Sequence, residues 1–203
     1  MTTATTPGTP RSPGGRTRVA GVIGDPVGHS LSPALHNAAF AAAGLDWVYV
    51  AFPVPHGRGG AAVAAARDLG LAGLNVTMPH KADAAAACDE LTPDAGALAS
   101  VNTVVIRPDG RVLGESTDGA GFLAALAEDG IEVAARRVLV LGAGGAARAV
   151  VLALGRAGAA VTVAARRPAA AKTAAGLAPG AKAIVLADAA GGGDAHDVVV
   201  NAT

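Results

Sequence analysis

Cysteine is almost missing from this chain, and with Cys88 alone neither an intrachain disulfide, nor a cysteine-rich metal site, nor a redox pair can be built. Aromatic residues are scarce at 2%, leaving few platforms for stacking bases, and 16 basic residues against 16 acidic ones leave no electrostatic footprint for a polyanion. Nucleic acid is therefore not an expected partner. Long apolar runs are missing too: Gly, Arg, Asp or Pro breaks every stretch before the roughly 20 residues a membrane-spanning helix needs, so no membrane partner is expected. The opening MTTATTPGTPRSPGGRT has no apolar core of a secretory signal. Residues 1–17 read as a disordered tail, and a cytoplasmic location is the simplest expectation.

What is present is a chain of 203 residues, 51% of them hydrophobic, long enough to bury a core as one large or two small domains. Short apolar runs alternate with alanine-rich segments. Val19 to Gly24, Trp47 to Val54 and Leu74 to Thr77 read as strands, with helices after Ser32 and over Ala61 to Leu69 between them. A helix opened by Pro79, a short one from Pro93, and a hairpin turning at Pro108-Asp109-Gly110 follow. From Arg137 the alternation restarts with a strand, a glycine turn and a helix, and it reaches only four strands by Thr203. The class is α/β with mainly parallel sheet. A boundary near Asp118 gives an N-terminal domain over 18–117 and a second domain over 118–203.

The second domain carries the most specific local signal. GAGGAARA, Gly142 to Ala149, directly follows the apolar strand RVLVLG and opens a helix, the setting in which a G-x-G-x-x-G/A pattern means dinucleotide binding. Gly142 permits the tight turn, Gly144 lets backbone approach a pyrophosphate, and Ala147 lets helix and strand pack closely. Gly142, Ala143, Gly144, Gly145 and Ala146 are the candidate phosphate cradle of a partial Rossmann domain. At the end of the next strand an acidic residue would hold a free ribose 2′-hydroxyl, whereas this chain has Ala165, Arg166 and Arg167. Two cations there suit a 2′-phosphate, so NADP is favoured over NAD as cofactor.

The first domain is less decisive residue by residue. Ser30 and Ser32 beside a helix start suit a small carboxylate, but Ser32 before Pro33 also has the order of a plain helix cap. His29 and His36 lack a third ligand at metal spacing, so no metal is expected. In LNVTMPHK, with Pro79 as first helical residue, Lys81 stands near the third position, where the helix dipole disfavours a cation by about 0.3–1 kcal/mol. A group whose charge is disfavoured suits proton exchange, yet a solvated lysine fits this stretch equally well. Asp118 at a later helix start could be a cap, and Asn102 a strand-end residue bonding its own backbone. Recurrence is the stronger observation: Thr77, Lys81, Asn102 and Asp118 all lie just past predicted strands, where parallel sheets build their sites.

Taken in order, HSLSPALHN, NVTMPHK, Val101 to Thr103, TDGAGF, GAGGAARA and Asn201 to Thr203 resemble the shikimate dehydrogenase family from Val19 to the last residue. The resemblance implies a two-domain enzyme reducing 3-dehydroshikimate to shikimate with NADPH, in aromatic amino acid biosynthesis, as a monomer or homodimer. It implies that Lys81 carries the proton with Asp118 as its pair, that Ser30 and Ser32 bind the substrate carboxylate, and that Thr77 and Asn102 hold ring hydroxyls. Departures are small near the site: Ser116 for an Asn, Ala99-Ser100 for Gly-Ala, and Ala165 and Arg167 for Asn and Thr around Arg166. Family members continue past NAT with more of the nucleotide sheet and a glutamine-bearing helix, so the chain is expected to be C-terminally truncated and weak or inactive in shikimate oxidation. An NAD-dependent quinate/shikimate dehydrogenase and a non-catalytic dinucleotide- or shikimate-binding module are the rival readings.

Overall fold

Runs rich in valine and isoleucine form strands because branched side chains pack well on a pleated surface, and the alanine-rich segments between them form helices at little entropic cost. The computed structural model describes residues 12–191 and 195–203, which divide into two compact units, one running to Glu115 and the other Ser116–Thr203. Of the predicted tail, residues 1–11 lie outside the described residues. Just before β1, Gly14 to Thr17 makes a turn whose Thr17 hydroxyl donates to Asp46 Oδ1 at 2.7 Å.

The first unit runs β1 (Arg18–Gly24), α1 (Ser32–Ala42), β2 (Trp47–Pro53), α2 (Gly59–Asp68), β3 (Gly73–Val76), α3 (Lys81–Ala86), β4 (Glu90–Leu91), α4 (Pro93–Leu98), β5 (Thr103–Ile106) and β6 (Val112–Glu115). Its six-stranded sheet has the order β2-β1-β3-β5-β6-β4. β1 is parallel to both β2 and β3, while β5 enters antiparallel between β3 and β6. One face packs Ile23, Leu74, Val76 and Val104 against Val63 and Ala66 of α2. The other packs Val22, Val27 and Tyr49 against Phe40 of α1. Burying a side chain such as Ile23 fully contributes about 1.5–3 kcal/mol.

The second unit runs α5 (Asp118–Glu128), β7 (Arg137–Leu141), α6 (Gly145–Arg156), β8 (Ala160–Ala165), α7 (Pro168–Ala175), β9 (Lys182–Val185), a 3-10 turn (Leu186–Gly191) and β10 (Val198–Asn201). All four strands are parallel, in the order β10-β7-β8-β9. Val138, Val140, Val151, Leu154 and Val163 form the centre of its core. α5 belongs here because Gly119 lets it sit on α6: a Cβ at that position would stand 2.8 Å from the Ala149 carbonyl oxygen.

Candidate active site

In the first unit the carboxyl ends of β1 and β3 meet the amino end of β5, because β1 and β3 run together and β5 runs against them. Thr77 directly follows β3, its N–H donating to the Ile23 carbonyl at 3.0 Å. Contrary to the expectation that it lies just past a strand, Asn102 precedes β5, and it joins this end only because β5 runs antiparallel to β3. Its carbonyl accepts from Val76 N–H at 2.8 Å and its N–H donates to the Glu115 carbonyl at 3.0 Å. The Lys81 carbonyl accepts from Val101 N–H at 3.0 Å, so backbone bonds draw Thr77, Lys81 and Asn102 to one end of the sheet. Ser30 lies in the loop that leaves the same end of β1, and Ser32 begins the helix α1 that follows it. Thr77 is exposed, and Ser30, Ser32, Lys81 and Asn102 are half-buried.

Three local expectations need correction. Ser32 does not cap α1: it is the first helical residue, and its own N–H donates to Ser30 Oγ at 3.2 Å, so the earlier hydroxyl serves the helix start. Pro79 does not open α3. It lies in the turn closed by His80 N–H to the Thr77 carbonyl at 3.0 Å, so the helix begins with Lys81 as its first residue, not its third. Asp118 is likewise the first residue of α5, after Thr117 in the cap position. Lys81 belongs to the first unit and Asp118 to the second.

Residues passed over in the sequence hold this end together. His80 has no exposed surface, and its Nε2–H donates to the Val54 carbonyl at 2.8 Å. A Cβ on Gly59 would lie 2.8 Å from His80 Cβ, so the start of α2 presses on the residue before Lys81. Behind Asn102, the Thr103 hydroxyl donates to Asn102 Oδ1 at 3.0 Å, and Tyr49 Oη donates to Asn75 Oδ1 at 2.6 Å. Burial pushes the Tyr49 phenol up to about 12, which keeps its proton in place. A polar Asn75 inside an apolar strand, GLNV, was the available signal for this network.

In the second unit Gly142 has φ +117°, and a Cβ there would fall against the Ala202 carbonyl oxygen, so no other residue fits where β7 gives way to the turn. Gly144 and Gly145 are different. A Cβ on either would meet nothing within 4 Å, so protein packing does not require them and the backbone is left bare toward the outside. Gly142, Ala143 and Gly144 line a concavity of about 270 Å³ together with Arg166 and Arg167 from the end of β8. Gly145 and Ala146 begin α6 and do not line it. Leu186, Ala202 and Thr203 also line it, and none of the described lining residues is acidic. Thr203 is turned in by its own N–H and hydroxyl, both donating to Asn201 Oδ1.

Residues 22–104 match the family model described as the shikimate dehydrogenase substrate binding domain. A shikimate dehydrogenase (NADP(+)) of Symbiobacterium thermophilum is 52% identical over 139 residues, covering 68% of this chain and 46% of the relative. The chain thus spans about half the length of the curated relatives it matches. Among solved structures, shikimate dehydrogenase of Aquifex aeolicus superposes with a TM-score of 0.87 at 37% identity, over 94% of this chain and 70% of that one. The Thermus thermophilus shikimate 5-dehydrogenase, solved in complex with NADP(H) and shikimate, gives 0.82 at 39% identity, over 92% of this chain and 68% of that one.

Proposed function

This chain belongs to the shikimate dehydrogenase family, and from that premise we propose that it takes part in the reversible NADPH-dependent reduction of 3-dehydroshikimate to shikimate, in a cytoplasmic setting. One observation carries the cofactor reading: the bare Gly144 backbone and two arginines line the same concavity. The residues fit the group. Gly142, Ala143 and Gly144 would hold the pyrophosphate with Gly145 and Ala146 at the start of α6, while Arg166 and Arg167 would hold the 2′-phosphate. Two arginines and no carboxylate among the described lining residues support NADP over NAD, since a free ribose hydroxyl is normally held by a carboxylate. When bound, NADPH supplies a hydride to the ring carbonyl carbon.

The chain's own part is alignment and the proton. Ser30 and Ser32 would donate to the substrate carboxylate, Ser30 from the loop after β1 and Ser32 from the first residue of α1. Thr77 and Asn102 would hold ring hydroxyls at the end of the sheet. The Lys81 ammonium would give its proton to the carbonyl oxygen as that oxygen becomes a hydroxyl, and would take it back in the reverse direction, with Asp118 holding the reacting oxygen. Lys81 suits the role by placement: its backbone is tied to Val101, and buried His80 before it is anchored to β2's neighbour Val54.

The test is titration of the purified chain with NADP+, NAD+, shikimate and quinate, alongside a turnover assay of the chain and of Lys81→Ala. NADP+ is expected to bind at least about tenfold more tightly than NAD+, a preference that Arg166→Ala with Arg167→Ala removes. Shikimate is expected to bind, and Lys81→Ala to abolish any turnover. Equal affinity for the two nucleotides, no shikimate binding, or undiminished turnover in Lys81→Ala would each overturn the corresponding part of the reading.

A further inference from the structure

We propose that Tyr49, Asn75 and Thr103 are positioning residues that hold the Asn102 side-chain amide in one orientation, its Oδ1 toward the sheet and its Nδ2 donor end to the opposite side. The inference rests on the reading of Asn102 as a ligand of the substrate ring. An asparagine is ambidentate, and a ring hydroxyl can both donate and accept, so an unguided amide would hold the ring in either of two ways.

The direction follows by elimination along the chain of contacts. The Asn102 backbone carbonyl can only accept, and it lies 3.5 Å from an Asn75 terminal atom, so that atom is Nδ2. Asn75 Oδ1 then faces the Tyr49 phenol at 2.6 Å, and the phenol must donate. Asn75 Nδ2 also lies 3.4 Å from Thr103 Oγ1, where the hydroxyl accepts, and the Thr103 hydrogen is then available to Asn102 Oδ1 at 3.0 Å, the link the proposal assigns. The two Asn75 Nδ2 contacts are long, and they set direction more than they contribute energy. With the Thr103 hydrogen so placed, the links run in one sense, from the phenol to the amide.

The far end of the chain is fixed. Tyr49 is 3% exposed, its ring stacks on His36 with centroids 4.3 Å apart, and Asn37 clamps its backbone on both sides, at 2.9 Å from the N–H and 2.8 Å from the carbonyl. The phenol reaches from β2 to β3 across β1, where the residue in register with Tyr49 is the small Ala20. Asn75 and Thr103 are direct partners in the β3–β5 ladder, so backbone pairing holds their side chains opposite one another. The high phenol pKa supports the arrangement, since the phenol stays a donor throughout the working range.

The experiment uses the 203-residue chain, 15N-labelled, as wild type, Thr103→Val, Thr103→Ser and Tyr49→Phe. The first readout needs no ligand: relaxation of the Asn102 side-chain amide. It is expected to be as ordered as the backbone in wild type and Thr103→Ser, and to become mobile in Thr103→Val. The second is shikimate affinity, expected to fall about tenfold in Thr103→Val, the worth of one hydrogen bond, and to return within about twofold of wild type in Thr103→Ser. An Asn102 amide equally ordered in Thr103→Val overturns the proposal. If Trp47 emission shows that Thr103→Val has not folded, Tyr49→Phe, which removes one oxygen from the buried ring, decides the same question by the same amide readout. If the wild-type chain binds no shikimate, the functional reading has failed, and amide order alone still upholds or overturns the orientation.

Discussion

Two glycines of one turn are expected to respond in opposite ways to the same added methyl. At Gly142→Ala, φ +117° lies in a region that L side chains avoid, at a cost of roughly 1–3 kcal/mol. The new Cβ would also push on the Ala202 carbonyl, next to the 2.8 Å bond from Ala202 N–H to the Leu141 carbonyl, and loosening that ladder adds about 1 kcal/mol. The sum is about 3 kcal/mol, concentrated where β10 joins β7. At Gly144→Ala, φ −77° and ψ −172° are open to any residue and the Cβ meets nothing. Exchanging glycine for alanine at this cap position costs up to about 1 kcal/mol, while the stiffer unfolded chain returns about 0.4–1 kcal/mol, leaving a net effect within about 0.5 kcal/mol. Fluorescence does not report on this unit, since Trp47 and Tyr49, the only Trp and Tyr, lie in the first. Native-state hydrogen exchange of the β7 and β10 amides does. Gly142→Ala should speed it by about a hundredfold and Gly144→Ala hardly at all, while Gly144→Ala should weaken NADP+ binding by about tenfold or more because its methyl stands where phosphate approaches. Unchanged β10 exchange in Gly142→Ala would refute the packing argument, and undiminished NADP+ affinity in Gly144→Ala would refute the assignment of the bare backbone to the cofactor.

Three further outcomes follow from local geometry. Ala99 closes α4 in the left-handed region at φ 46°, so Ala99→Gly should stabilise the first unit by about 0.5–1 kcal/mol, read as a shift of the urea midpoint by Trp47 emission. Asp197 is held down to about 2 by the Arg137 side chain and N–H, so its stabilising contribution is present above 3.8 and lost as pH falls from there toward 2. Its carboxyl carbon should titrate near 2, moving part of the way back toward 3.8 in Arg137→Ala because the backbone bond remains. Cys88 is pushed up to about 11 from 9.0 by burial and by Asp89, and its thiol donates to the Ala84 carbonyl at 3.2 Å. Its alkylation at pH 7.5 should be about a hundredfold slower than in the urea-unfolded chain, and equal rates would show the thiol to be open.

Much of the architecture was legible because its signals are local. Strand and helix alternation, the Pro108–Gly110 hairpin turn and the strand–glycine–helix order around Gly142 each depend on a few neighbouring residues. Boundaries slipped where two local signals competed. Pro79 carries the mark of a helix start, but the Thr77–His80 turn took it first, and Ser32 has the order of a cap that Ser30 provides instead.

The sequence by itself determined the α/β class, the four parallel strands of the second unit and the identities of the residues that crowd the strand ends. Only the tertiary structure decided that β5 runs antiparallel to β3, which sets Asn102 beside Thr77, and that the Gly142 turn and Arg166 share one concavity. It also decided that His80 is buried and that Tyr49 and Thr103 meet through Asn75, whose contacts join residues 26 to 28 positions apart. Strand order and register make those meetings, and they follow from how whole faces bury against one another, which no short stretch of sequence encodes.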